Sequence, residues 1–298
     1  MTIVPAGVKR FTRPLSTPAL ALLLLVATSA GSSVRAQEPA SPAALSEAWQ
    51  SARVVKHAPA LLDHAAVSSH LSGFVKSTPR LFWMEETGRS VEDRSIWHVW
   101  FGHGSFHVLL WSQMHGDEST ATAVLLDMLE YVRLRRDEPA VRRILDNLTV
   151  HVVPMLNPDG AARFQRRNAQ GIDVNRDALL LQTPEGRLLK ALRDRLQPSL
   201  GFNLHNQGWG TSVGKSGKPA SVSLLAVSSD EAQTDTPGRV LAKKTCAVIR
   251  DALEALAPGQ VAKYDETFEM RAFGDNIARW GTPVVLIETG PYAGDNAD

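Results

Sequence analysis

His115 and Glu118 stand three positions apart in the stretch MHGDES, residues 114–119. Zinc accepts both an imidazole nitrogen and a carboxylate oxygen, and a spacing of three at the start of a helix turns both side chains to one side. The pair also fits a polar turn whose glutamate merely favours a helix N-terminus. Two ligands do not hold a catalytic zinc ion, so the chemistry needs a third ligand, a base and a grip on the substrate. The chain has nine histidines. His57, His64 and His70 lie in a lead-in, His98, His107 and His151 sit within apolar strand-like runs, and His103 is in a glycine turn. His205 is different, because it closes GFNL directly before NQGWG, where a strand delivers its last side chain to a sheet edge. It completes a set of two histidines and one carboxylate.

A base is offered by Glu288, which ends the apolar run TPVVLIE. A carboxylate there sits poorly in a core unless paired. Facing a metal without binding it, Glu288 can take a proton from metal-activated water and return it to a leaving amine. Glu266 and Glu269 in DETFEMR compete for this role, but neither ends so clear a strand. The grip is offered by NPDGAARFQRRNAQGIDVNRD, residues 157–177, which opens on a turn and then concentrates Arg163, Arg166, Arg167 and Arg176 around Asn175. Arginine recognises carboxylates through two parallel hydrogen bonds and can stabilise an oxyanion. Arg163 and Arg167 read as partners in surface ion pairs.

These residues need a scaffold that gathers strand ends. SIWHVWF (95–101) and FHVLLWS (106–112) read as strands, and a helix is expected from near Glu118, with Leu125, Met128, Leu129 and Val132 on one face and its end before Pro139. LTVHVVPML (148–156) has the look of a buried strand and PEGRLLKALRDRL of a helix. SLGFNL (199–204), SVSLLAVS (221–228) and PVVLIE (283–288) are further strands, and a helix carries Cys246 on the apolar face of Ile249 and Leu253. Strands alternating with helices imply an α/β fold with a mixed, mostly parallel twisted sheet and helices on both faces, with sites where strands end.

Lys9, Arg10 and Arg13 precede the run PALALLLLVATSA, and Val34-Arg35-Ala36 supplies small residues for cleavage before Gln37. This order predicts a signal peptide over residues 1–36 and an exported, periplasmic or secreted protein without a stable membrane anchor after cleavage. Residues 37–79 read as a linker and helical lead-in, and residues 80–298 as the catalytic domain. One cysteine excludes an intrachain disulfide framework. A formal net charge of +1, with no basic stripe beyond the signal, gives no electrostatic case for a nucleic-acid partner.

HGDE, NPDG, RRNAQGIDVNRD, a strand-final histidine and a strand-final glutamate, in that order, resemble the zinc metallocarboxypeptidases of the carboxypeptidase A type. GIDVNR behind NPDG is the specific part of the match. The resemblance implies one Zn²⁺ held by His115, Glu118 and His205, with Asp173 accepting from the far nitrogen of His115. It implies that Arg166 polarises the scissile carbonyl, that Asn175 and Arg176 grip the terminal carboxylate of a peptide, and that Glu288 is general base and acid. Some features depart from the family. Asn206-Gln207 follow His205 in place of Ser-Tyr, and no tyrosine lies between Glu266 and Glu288, which leaves Tyr264 as the candidate for the substrate-capping residue. The sequence ends ten residues after Glu288, where the family continues into a covering helix, an expectation of a shortened domain. The expected activity is hydrolysis of a peptide bond next to a C-terminal residue, with cell-wall stem peptides among the substrates. Two alternatives keep the pocket: a zinc-dependent N-acyl amino acid deacylase of the aspartoacylase and succinylglutamate desuccinylase type, and a peptide-binding relative without turnover.

Overall fold

A computed structural model describes residues 42–55, 62–208 and 210–292, and the expected signal peptide lies outside them. Eight strands form one sheet: β1 (Phe82–Arg89), β2 (Ser95–Phe101), β3 (Phe106–Ser112), β4 (Leu148–Val153), β5 (Leu200–Asn206), β6 (Val222–Ala226), β7 (Val261–Lys263) and β8 (Val284–Thr289). Their spatial order is β1-β2-β4-β3-β5-β8-β6-β7. The pairs β4/β3, β3/β5, β5/β8 and β6/β7 are parallel, and the others antiparallel. The central strands are buried on both faces, as their β-branched and leucine-rich runs require.

Among the described residues, eight α-helices surround the sheet: α1 (Pro42–Ala52), α2 (His64–Ser77), α3 (Thr120–Arg135), α4 (Pro139–Asn147), α5 (Pro158–Ala162), α6 (Pro184–Leu196), α7 (Pro237–Glu254) and α8 (Phe273–Arg279). Alternation along each strand divides the core in two. Val108, Leu110, Val150, Val152 and Phe202 face α2, α3, α4 and α7, while Leu109, Trp111, Val153 and Leu286 face α6 and α8. The lead-in contributes to the first layer, since Val67, Leu71 and Phe74 of α2 are buried against it. Each such side chain adds roughly 1.5–3 kcal/mol relative to exposure.

Local chemistry sets the helix starts. Thr183-Pro184 and Thr236-Pro237 open α6 and α7 in the same way: the threonine side chain accepts the backbone N–H three residues on, and proline takes the first helical position, where its missing N–H costs nothing. α6 ends at Gln197 in the left-handed region (φ 43°), immediately before Pro198.

The expected strands at 95–101 and 106–112 and the helix PEGRLLKALRDRL match β2, β3 and α6. The helix expected from near Glu118 begins at Thr120, so His115 and Glu118 lie in the turn before it. β4 stops at Val153, because Pro154 cannot donate to a ladder. β5 runs past His205 to Asn206. β1, which the sequence pattern does not signal, is an edge strand carrying Glu85, Glu86 and Gly88 with a register shift between the last two.

Candidate metal centre and substrate clamp

The C-terminal ends of β3, β5 and β8 lie side by side, and the candidate residues gather there. After β3 the chain turns sharply at Gln113 (φ 50°), whose amide donates to the Gly116 carbonyl and accepts from the Thr122 hydroxyl. Gly116 packs on the backbone of Gly160, where a Cβ would come within 2.0 Å of the Gly160 carbonyl carbon, so no larger residue fits. Asn157, fully buried, accepts from Gly160 N and donates to the Met114 carbonyl, tying the NPDG turn to the MHGDES turn. The asparagine and glycine of NPDG therefore brace the histidine-bearing turn. Their turn chemistry was legible in sequence, but not the surface they pack on.

Parallel pairing sets His205 directly beside Glu288, and Ser223 of β6 beside Glu288 on its other side. Residues opposite one another share a face, so His205 and Glu288 project together. His205 Nδ1 lies 2.7 Å from one oxygen of Glu118, and His115 Nδ1 lies 2.7 Å from the other. One ligand atom from each of His115, Glu118 and His205 falls within 4.8 Å of the others, and all three residues are buried. Asp173 Oδ1 lies 3.3 Å from His115 Nε2, at ion-pair range without the alignment of a hydrogen bond. Its other oxygen accepts from Arg166 Nε at 2.9 Å, and a second nitrogen of Arg166 reaches 3.1 Å from His115 Nδ1.

The donor set fits zinc. His115 has a carboxylate at each ring nitrogen, and imidazole alone satisfies both only as the doubly protonated cation. A metal ion held by His115, Glu118 and His205 would take the place of a ring proton of His115, and Asp173, 3.3 Å from Nε2, would favour a proton on that nitrogen. The charges agree. Burial pushes the His115 pKa down, but Asp173 and Glu118 outweigh it and leave it raised. Burial pushes Glu118 up, yet the charges and hydrogen bonds of His205 and His115 hold it well below the usual carboxylate range. Asp173 is likewise lowered, with His115 and Arg166 overcoming its burial. Two nitrogens and one carboxylate are a zinc donor set that leaves a position open.

Glu288 is buried, and that burial raises its pKa, with the histidines opposing and the Glu118 charge adding to the shift. Glu266 and Glu269 are engaged elsewhere, Glu266 with Lys263 and Glu269 with Arg271. Asn175 lies in a single 3-10 turn, Val174–Arg176, with its Nδ2 3.4 Å from His205 Nε2 and its Oδ1 accepting from Phe273 N. Arg176 follows it, half exposed, its Nε 3.4 Å from Glu269. Arg163 pairs with Glu92, and Arg167 donates to the Gly171 carbonyl. Tyr264 is half buried on the same side, its pKa raised by burial and then by the Glu288 and Glu118 charges. Sequence reasoning passed over the ion pairs of Glu269 with Arg176 and Arg271, because they depend on how the loop before α8 folds back.

Comparison with known proteins follows the same lines. Carboxypeptidase M of Mus musculus is 27% identical over 128 residues, 36% of this chain and 29% of that protein. Carboxypeptidase 2 of Trichophyton rubrum is 28% identical over 150 residues, 49% of this chain and 26% of that protein. The chain thus spans less than a third of these relatives. A metallo-carboxypeptidase from Burkholderia cenocepacia superposes with a TM-score of 0.61 at 19% identity, over 78% of this chain and 61% of that one, which shows a shared fold. Carboxypeptidase A from Helicoverpa armigera gives 0.60 at 16% identity, over 84% and 72%. The zinc carboxypeptidase family matches residues 67–229, more than half of the sequence and the region that carries all three metal-facing residues, and the chain belongs to that family.

Proposed function

We propose that the protein is an exported zinc-dependent carboxypeptidase, releasing the C-terminal residue of a peptide, with cell-wall stem peptides among its substrates. The observation that carries this reading is the meeting of three elements at one sheet edge: the His115, Glu118 and His205 donor set, Glu288 beside it, and the Asn175-Arg176 pair. Bound by the donor set, zinc supplies Lewis acidity, polarising an oxygen and making water acidic near neutral pH. Glu288 takes the proton of the attacking water and passes it to the leaving amine, and its raised pKa suits both tasks. Arg166 donates to the carbonyl oxygen as negative charge develops there. Asn175 and Arg176 bind the terminal carboxylate and so fix which bond is cut. The Asp173 charge, 3.3 Å from His115 Nε2, favours a proton on that nitrogen. Tyr264 closes over the bound residue.

The test compares two peptides with the same sequence, one with a free C-terminus and one amidated, incubated with the zinc-loaded protein. Cleavage of the free form alone, at its last bond, is expected. Equal cleavage of both would remove the clamp from the account. Hydrolysis of N-acyl aspartate or glutamate without peptide cleavage would favour the deacylase alternative. Export rests on the sequence of residues 1–36. N-terminal sequencing of the exported protein should read from Gln37, and recovery of the intact Met1 form inside cells would contradict it.

A further inference from the structure

Bordered by Arg176 and Asp173 lies a cavity of about 440 Å³, whose lining also includes Arg167, Arg271, Asp177 and Leu180. Three guanidinium groups share one wall system, and both of its carboxylates are committed elsewhere. Asp173 serves Arg166, Asn175 N and His115, and Asp177 accepts from Thr183 N, the Thr183 hydroxyl and Gln182 N. Beside the cavity, Glu269 accepts from Arg271 through both oxygens, at 3.0 and 2.9 Å, and stands 3.4 Å from Arg176 Nε. The Arg271 hydrogen bonds lower its pKa to about 2. The protein's own side chain thus demonstrates that a carboxylate fits between these two guanidiniums. Leu180, 71% exposed at the cavity, offers an aliphatic contact beside the charges.

We propose that this cavity receives a second carboxylate, so that the preferred substrate is a peptide whose C-terminal residue bears an acidic side chain. The inference rests on the carboxypeptidase reading for the placement of the terminal carboxylate on Asn175 and Arg176. With that carboxylate on Arg176, a side chain of two or three carbons directs its own carboxylate to Arg271 and Arg167. Glu269 then remains on Arg271 or yields its place. Guanidinium donors match carboxylates in paired, planar geometry, whereas a neutral amide of the same size offers a weaker acceptor and two unwanted donors.

The test uses the full chain loaded with zinc and two peptides that differ only in ending on Glu or Gln. The Glu peptide is expected to have a kcat/KM about tenfold higher, the scale of one charge-assisted hydrogen bond. Arg271→Gln and, separately, Arg167→Gln should bring the ratio towards one. Equal values, or a preference for Gln, in a protein that cleaves either peptide would overturn the cavity assignment and leave the peptidase reading standing. If neither peptide is cleaved, the peptidase reading falls, and calorimetric titration of the metal-free protein with N-acetylglutamate and N-acetylglutamine decides the cavity. Tighter binding of the glutamate that is lost in Arg271→Gln upholds it; equal binding rejects it.

Discussion

His115 lies between two carboxylates, one from its own turn and one from a distant stretch of the chain. Glu118 faces its Nδ1 and Asp173 its Nε2, while Arg166 lies against both Asp173 and His115. Asp173 thus touches two groups, with Oδ1 3.3 Å from the imidazole Nε2 and Oδ2 accepting from the Arg166 guanidinium. Asp173→Asn keeps the shape but removes the charge that favours a proton on Nε2. We predict a 10–100-fold weaker zinc affinity, the range typical for loss of such an outer partner, measured by competition with a chelator. Unchanged affinity would show that Asp173 serves Arg166 alone. HxxE, and a histidine and a glutamate near the ends of apolar strands, were legible in sequence because strand ends and turn residues are local signals, although β5 and β8 each run one residue past them. The occupation of Arg271 and Arg176 by Glu269 was not, since it joins a 3-10 turn to a distant loop.

The strands hold a second polar arrangement that their hydrophobic pattern conceals. His98 of β2, His151 of β4 and His107 of β3 form a row, with His98 Nε2 3.0 Å from His151 Nδ1 and His151 Nε2 3.0 Å from His107 Nδ1. Centroids 5.2 Å apart with planes within 27° and 15° make these edge-to-edge contacts. Glu85 of β1 accepts at the His98 end, 3.0 Å away, and itself pairs with Arg195 of α6. Taken singly, each histidine reads in sequence as a satisfied core residue, and the pairing order β2-β4-β3 that assembles them is a long-range property. Burial lowers His98, and burial with the neighbouring imidazoles and Arg195 lowers His151 to about 3, against 6.5 for a free side chain. Its folded pKa lies below the unfolded one, so the unfolded chain binds more protons between them. This contribution to stability is full above pH 6.5 and lost as pH falls towards 3, with a slope of at most about 1.4 kcal/mol per pH unit. Urea unfolding at pH 6.5 and pH 5 should show this loss in the wild type and a smaller one in His151→Gln. Identical losses would mean that the row does not govern the acid limb.

Across the whole molecule, α/β layering with both faces covered follows from alternating apolar runs, and the two cores divide as the strand pattern requires. What the pattern could not supply was strand order, because register and adjacency are set by contacts between distant segments. That order nevertheless determines which side chains meet: β3, β5 and β8 must be neighbours for His115, His205 and Glu288 to come together. The central claim is that this edge binds zinc through one set of side chains and moves protons through another. Metal content and peptide turnover measured together on Glu288→Gln and His205→Ala test it most directly. Glu288→Gln should keep one zinc per chain and lose about 10²–10⁴-fold in turnover, the usual contribution of a general base. His205→Ala should lose the metal and the activity together. A fully active Glu288→Gln, or a His205→Ala protein that still binds one zinc tightly, would contradict the account.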